Sequence, residues 1–295
     1  MPKGKKRKFV EKRKRCGRIV GLAVCSEKDS IAFIIPIYYN FSESKYPIIV
    51  DNKKGQVNTM EKKELLYEGK AKKVYTTKHP DQLIVSYKDD ATAFDGQKKG
   101  TIVGKGAINN RMTNHIFKLL EQKGVPTHLV EELNDRETVV KKVEIVPLEV
   151  IIRNYSAGSF AKKLGMEEGI KLACPTLEFS YKNDDLHDPF INSYYALALK
   201  LATQEEIDAI TKYAFVVNDV MQEYFASLGI DLIDFKIEFG RLADGTIILA
   251  DEVSPDTCRL WDKETHEKLD KDRFRRDLGN VEDAYNEVFR RLGIQ

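Results

Sequence analysis

Leu232-Ile233-Asp234-Phe235-Lys236-Ile237-Glu238-Phe239-Gly240 alternates charge with bulk. Side chains of a β-strand point to opposite faces in turn, so Asp234, Lys236 and Glu238 share one face. Ile233, Phe235, Ile237 and Phe239 share the other. A second strand is expected from Thr246 to Asp251, after Asp244-Gly245, a dipeptide that favours two-residue hairpin turns. With that turn Ala243 pairs with Thr246, and Glu238 stands opposite Asp251. Cross-strand Cβ atoms lie roughly 5 Å apart, where two carboxylates repel by about 3 kcal/mol at an effective dielectric near 20. A positive partner is expected between them, and a divalent metal held by oxygen ligands suits the pair. The competing reading is a half-solvated hairpin with polar residues outward. Two features weigh against it. Ile247-Ile248-Leu249-Ala250 is apolar on both faces, and like charges directly opposite each other are a poor structural choice.

Downstream, Asp251-Glu252-Val253-Ser254-Pro255-Asp256-Thr257-Cys258-Arg259 ends a strand in acids and breaks at Pro255. Loops at strand ends hold metal and substrate well, and Arg259 can neutralise an anionic group. A solvated turn is the plainer alternative. Upstream, Arg153-Asn154-Tyr155-Ser156-Ala157-Gly158-Ser159 reads as a strand-end arginine and a small-residue turn opening a short helix. A guanidinium fork and free helix amides suit phosphate or carboxylate. An ordinary capped helix start explains the same residues. Gly69-Lys70-Ala71-Lys72 can lay amides and two ammonium groups over phosphates, but it is not the G-x-x-x-x-G-K-[ST] loop. Alone it reads as a hairpin with exposed lysines. His187 lies in a polar loop and is expected in solvent rather than as a base. No Ser/His/Asp order or HExxH appears.

The 295 residues are enough for one large domain or two modest ones. No apolar run approaches the roughly 20 residues that span a bilayer, so no membrane partner is expected. Cys16, Cys25, Cys174 and Cys258 match no zinc or CxxC spacing, which fits a reduced, cytoplasmic setting. Residues 1–59 carry 14 Lys+Arg against 5 Asp+Glu, while 60–295 carry 34 against 41. Three readings of this leader compete: a basic tail for nucleic acid or anionic lipid, a targeting segment built on Ile19 to Cys25, or residues upstream of a true start at Met60. Ile31 to Tyr39 can form a lone strand with no evident partner.

In the body, Leu65 to Tyr75 reads as strand, glycine turn and strand, and Leu83 to Tyr87 extends a sheet. Asp89 to Gly106 is loop-rich. Helices are expected over Ala107 to Gln122, Thr203 to Leu228 and Val281 to Leu292. Thr203 with Glu206 forms a capping box for the second, whose stripe is Ile207, Ile210, Ala214, Val217, Met221, Phe225 and Leu228. Val139-Val140 and Glu144 to Ile152 are strands, the latter interrupted by Pro147. A β-rich first part and a mixed second part indicate an α+β protein.

Two long segments, Val146-Pro147-Leu148-Glu149-Val150-Ile151-Ile152-Arg153-Asn154-Tyr155-Ser156-Ala157-Gly158-Ser159 and Leu232 to Gly240, resemble the signatures of the SAICAR synthetase family. Tyr67 to Lys72, Lys182-Asn183-Asp184 with His187-Asp188-Pro189, Ser254-Pro255-Asp256 and Arg259-Leu260-Trp261-Asp262 fit as well. The likeness covers about residue 60 to 295, and family members usually begin just before the Tyr67 segment, which favours Met60 as the start. It implies a two-lobed fold related to ATP-grasp enzymes and protein kinases, with ATP in the cleft. Residues 60–145 would be a small β-rich nucleotide lobe and 146–295 a larger substrate and metal lobe, with 1–59 an extension outside the fold. It also implies the reaction: ATP, the carboxylated aminoimidazole ribotide (CAIR) and L-aspartate give SAICAR, ADP and phosphate through an acyl phosphate.

On that resemblance Lys236 neutralises the transferring group, and Asp234, roughly 7 Å along the strand, orients it. Glu238 and Asp251 hold Mg²⁺, with Glu149 near a metal bound to the ribotide. Gly69, Lys70, Ala71 and Lys72 cover the phosphates of ATP, and Lys182 contacts the nucleotide. Arg153, Gly158, Ser159 and Arg259 grip the ribotide, with Asp256 and Arg275 as further substrate contacts. A kinase-like phosphotransferase shares the ATP site but lacks an H-R-D-like loop here. Nucleic acid as the main ligand is disfavoured by the acidic body. The expected partners are small molecules, and a homo-oligomer is compatible with the sequence.

Overall fold

Two antiparallel sheets and one long helix between them position the charged strand. The computed structural model describes residues 60–93 and 96–294, all within one compact unit, Tyr46–Gln295. Every expectation about residues 1–59 lies outside the described residues. Among those described, no helix is long and apolar enough to cross a membrane.

β1 (Leu65–Glu68) and β2 (Lys72–Thr76) form a hairpin in which Gly69 N donates to Lys72 O at 2.8 Å. A Cβ at Gly69 would lie 2.9 Å from the exposed Tyr67 ring, which packs against the turn. β3 (Gln82–Tyr87) continues the sheet. β4 (Asp90–Ala93) and β5 (Lys98–Thr101) pair as a separate hairpin inside the segment expected to be loop. α1 (Lys105–Gln122) follows. Asp89 caps its start: the carboxylate accepts from Gly106 N at 2.8 Å and Gly104 N at 3.2 Å, and takes an Arg136 fork at 2.7 and 3.0 Å. The glycine-rich stretch therefore serves a helix end. β6 (Leu129–Asn134) and β7 (Glu137–Lys141) complete a five-stranded sheet of order β1-β2-β3-β7-β6.

The second sheet begins with β8 (Glu144–Tyr155), then α2 (Gly158–Leu164), β9 (Lys171–Tyr181), β10 (Phe190–Ile191) and α3 (Ser193–Ala198). α4 (Gln204–Ser227) leads into β11 (Ile230–Arg241), β12 (Ile247–Ala250), β13 (Cys258–Asp262), α5 (Asp272–Arg275) and α6 (Val281–Leu292). Strand order is β10-β9-β8-β11-β12, with β13 also pairing β11. α4 carries the predicted reciprocal cap between Thr203 and Glu206. Its stripe from Ile207 to Phe225 is buried against the back of this sheet, joined there by Phe235, Ile237 and Phe239 of β11 and Met112, Ile116, Phe117 and Leu120 of α1. Each large apolar side chain so buried stabilises the fold by about 1.5–3 kcal/mol. α1 meets the small sheet with polar groups instead: Asn110 Nδ2 donates to Asn134 O at 3.0 Å, and Asn114 Nδ2 to Thr138 Oγ1 at 2.7 Å.

Further expectations are corrected. The β11–β12 hairpin has a three-residue loop, Ala243-Asp244-Gly245: Leu242 N donates to Thr246 O at 2.9 Å, and Gly245 is left-handed at φ 84°. That is a common hairpin geometry, and Asp244 Oδ1 reinforces it by accepting from Thr246 N at 2.9 Å. Pairing slips by one residue, so Glu238 stands opposite Ala250 rather than Asp251. Ile233 leaves the apolar face because β11 bulges against β13 between Leu232 and Asp234; it packs with Trp261 and Ala157 instead. Pro147 does not interrupt β8 but falls where its register with β11 shifts, the place in a sheet where a proline is tolerated. Cys258–Asp262 forms a buried strand, so the plainer alternative of a solvated turn does not hold for Cys258 and Arg259.

Candidate functional site

β8, β11 and β13 lie side by side, and one face of this sheet carries most of the predicted charged residues. β8 and β11 are in regular register from Glu149↔Glu238 to Arg153↔Asp234, and β13 sets Arg259 opposite Asp234. Directly paired residues point to the same side. Glu149, Ile151 and Arg153 therefore share the face of Asp234, Lys236 and Glu238. The facing carboxylates expected of Glu238 exist, but the partner is Glu149 on the neighbouring strand.

A cavity of about 390 Å³ opens on this face. Glu149, Arg153, Ser159, Asp234, Lys236, Asp256, Arg259 and Arg275 line it, with His187 and Asp188 at one side. The charged network on and beside this face has two halves. In one, lysines and carboxylates alternate. Lys236 Nζ donates to Glu149 and lies 3.7 Å from Glu238 Oε1. Lys182 Nζ, from beyond β9, donates to Glu238 Oε1 at 2.8 Å. Asp251 has left the strand at φ 59° and faces β2, where Lys72 Nζ meets it at 2.5 Å and Glu252 at 3.0 Å. Burial and then the charge of Asp251 push the Glu238 carboxyl upward. Burial opposes the ammonium of Lys236, but Glu238 and Glu149 outweigh it and raise its pKa, so it stays protonated. Burial also opposes the charge of Asp251, and Lys72 holds its pKa below the usual value despite that.

In the other half, arginines and carboxylates alternate. Arg153 Nη1 and Arg259 Nη1 both donate to Asp234 Oδ2 at 2.7 Å. Asp234 thus bridges two guanidiniums and does not orient Lys236. Arg153 also donates through Nε to Glu178 at 2.6 Å. Arg259 Nε donates to Asp272 Oδ2 at 2.9 Å, and Arg275 Nη1 to Asp272 Oδ1 at 2.7 Å. Asp272, drawn down to about 2 against its burial, is held ionised by Arg259 and Arg275. Gly158 packs under the Arg259 guanidinium at φ 54°, where any Cβ would overlap it. Asp256 lines the cavity with both oxygens committed, one to buried Lys105 at 2.8 Å and the other to the Tyr285 hydroxyl at 2.6 Å.

Of the predicted residues, Gly69, Lys70, Ala71, Lys72, Gly158, Lys182, Glu238 and Asp251 do not line the cavity; exposed Lys70 donates to Asp184 at 3.0 Å. Sequence reasoning missed Glu178, Asp272 and Glu252. Glu178 stands in a readable alternation, Thr176, Glu178 and Ser180 against Leu177 and Phe179, but nothing local reveals which strand lies beside β9.

Among the described residues no group of three His, Cys, Asp or Glu can hold a metal unaided. The carboxylate set Glu149, Glu238 and Asp251 suits a hard ion that takes one or two protein carboxylates and completes its shell with phosphate oxygens and water.

The family described as SAICAR synthetase matches residues 65–292. A phosphoribosylaminoimidazole-succinocarboxamide synthase of Lachnoclostridium phytofermentans is 76% identical over 236 residues, 80% of this chain and 100% of the relative. The crystal structure of the Ehrlichia chaffeensis enzyme of that name superposes with a TM-score of 0.77 at 43% identity, covering 79% of this chain and 99% of that one. A SAICAR synthetase solved in complex with ADP gives a TM-score of 0.75 at 48% identity, covering 77% and 97%.

Proposed function

The chain belongs to the SAICAR synthetase family, and from that premise we propose how its own residues join CAIR to L-aspartate at the expense of ATP. The single observation that carries the reading is Lys236, held between Glu149 and Glu238 on the face that also bears the Arg153–Asp234–Arg259 bridge. The lysine half serves the phosphates and the arginine half serves the ribotide. The family's two-lobed, kinase-related architecture would set the nucleotide between the small sheet and this face.

A carboxylate does not accept an amine directly, because an oxide is too poor a leaving group. The CAIR carboxylate oxygen attacks the γ-phosphorus of ATP and ADP departs. The aspartate amine then attacks the activated carbonyl and phosphate departs. Positioning and charge stabilisation account for most of such catalysis. Lys236 stabilises the charge on the phosphoryl group in flight. Lys72 and Lys70 cover the other phosphates, and Lys182 meets the nucleotide. Glu238 and Asp251, with Glu149 across the strand, would hold Mg²⁺, which screens the charge between phosphate oxygens when bound. Arg259, Arg275 and Ser159 receive the 5′-phosphate of the ribotide. Asp256, fully bonded within the protein, braces the wall rather than the substrate.

The test is omission. With ATP, Mg²⁺, CAIR and aspartate present, ADP release and amide formation are expected in equal amounts, and leaving out any one substrate stops amide formation. Transfer of phosphate to a stable acceptor without aspartate would favour a kinase-like activity instead.

Gly158→Ala supplies a local check. The left-handed backbone alone costs about 1–2 kcal/mol for a residue with a Cβ, and the methyl displaces Arg259. The expected result is a KM for CAIR raised about tenfold or more, with the KM for ATP nearly unchanged, read from initial rates.

A further inference from the structure

We propose that Glu178 is a positioning residue of the ligation site, acting through Arg153. This rests on the reading of the arginine half given above. β9 runs antiparallel to β8 with Glu178 opposite Ile151 and Thr176 opposite Arg153, so Glu178 is the diagonal neighbour of Arg153 on the charged face. Its carboxylate oxygens take Arg153 Nε at 2.6 Å and Nη2 at 3.2 Å. Arg153 Nη1 goes to Asp234 at 2.7 Å. A guanidinium has five N–H donors in a rigid fork. Three are thus committed, and the two that remain sit on Nη1 and Nη2.

Glu178 does not line the charged cavity. It borders a separate apolar groove of about 540 Å³ between α2 and β9, together with Phe160 and Leu177. The Phe160 ring lies 5.6 Å from the Arg153 guanidinium carbon. The guanidinium is therefore fixed on one edge by Glu178, at one tip by Asp234 and on its flank by an aromatic ring. Asp234 uses the same oxygen for Arg259, so a turn of Arg153 disturbs both arginines. Glu178 sets the orientation of the anion-binding half from outside it.

Glu178→Gln keeps the shape but turns one acceptor into an amide NH₂, which repels an Arg153 donor. The expected result is a KM for CAIR raised about tenfold, the scale of one lost charge-assisted hydrogen bond, with the KM for ATP changed by less than about twofold. Glu178→Asp keeps the charge and should recover part of the loss. In an Arg153→Met background, Glu178→Gln should add nothing to the KM for CAIR. An equal effect in both backgrounds, parallel rises in both KM values, or no effect on CAIR overturns the proposal. If Glu178→Gln does not fold, Glu178→Asp decides: a CAIR-specific rise absent in the Arg153→Met background supports it, and a rise in both backgrounds or in neither overturns it. If Arg153→Met itself leaves the KM for CAIR unchanged, the assignment of the arginine half to the ribotide fails, and the proposal falls with it for a separate, visible reason.

Discussion

Replacing Lys236 with methionine is expected to lower kcat for ligation by about 10²–10³-fold, the usual cost of one preorganised charge-stabilising donor. The stem is retained, so packing changes little. What is lost is the ammonium between Glu149 and Glu238. The remaining carboxylates face each other across β8 and β11 and present negative charge to a phosphoryl group in flight. On the proposed role, in which Lys236 acts on charge that develops during transfer, kcat and kcat/KM should fall together. ADP release in the omission assay measures this. A variant that kept wild-type turnover would remove Lys236 from the reaction altogether.

Replacing Asp234 with asparagine is expected to destabilise the fold by about 3 kcal/mol or somewhat more, as breaking a buried ion pair does. Two guanidiniums donate to one buried carboxylate oxygen. Asparagine keeps the size and one acceptor but removes the charge that both arginines share. Glu178 and Asp272 still hold their far edges, which places the cost at the lower end of the buried range. For a chain of this size the melting temperature should drop by roughly 6–12 °C. The drop should persist in moderate salt, since buried pairs are weakly screened. A melting temperature within about 2 °C of wild type would show that the arginines find other counter-ions.

Helical signals carried by near neighbours were readable, whereas the equally local hairpin turn was misjudged by one residue. The Thr203–Glu206 cap and the α4 stripe depend on neighbours three and four residues apart, and both formed. The apolar side of β11 followed alternation from Phe235 to Phe239 and failed at Ile233, where a bulge demanded by β13 reversed the faces. The register of the acidic pair failed in an instructive way, although Asp251 still lies near enough for its charge to raise the Glu238 carboxyl. Electrostatics required a partner for Glu238, and local reasoning could look only along the hairpin. The partner stood on β8, some ninety residues earlier, and no periodicity names the strand on the far edge. Glu178 was invisible for the same reason, since its role exists only once β9 is laid beside Arg153; the Asp272–Arg275 pair is local, three residues apart in α5, but its link to Arg259 needs β13 beside that helix.

Exposed connections ordinarily tolerate gain or loss of a residue during evolution. The short link Ala243-Asp244-Gly245 is an exception in waiting. Its length works as a gauge, because one residue more or fewer reverses which side of the sheet every later position in β12 presents. Lineages should therefore vary freely in what this bend is made of while preserving how long it is, a tip far from the chemistry holding veto power over where Asp251 arrives.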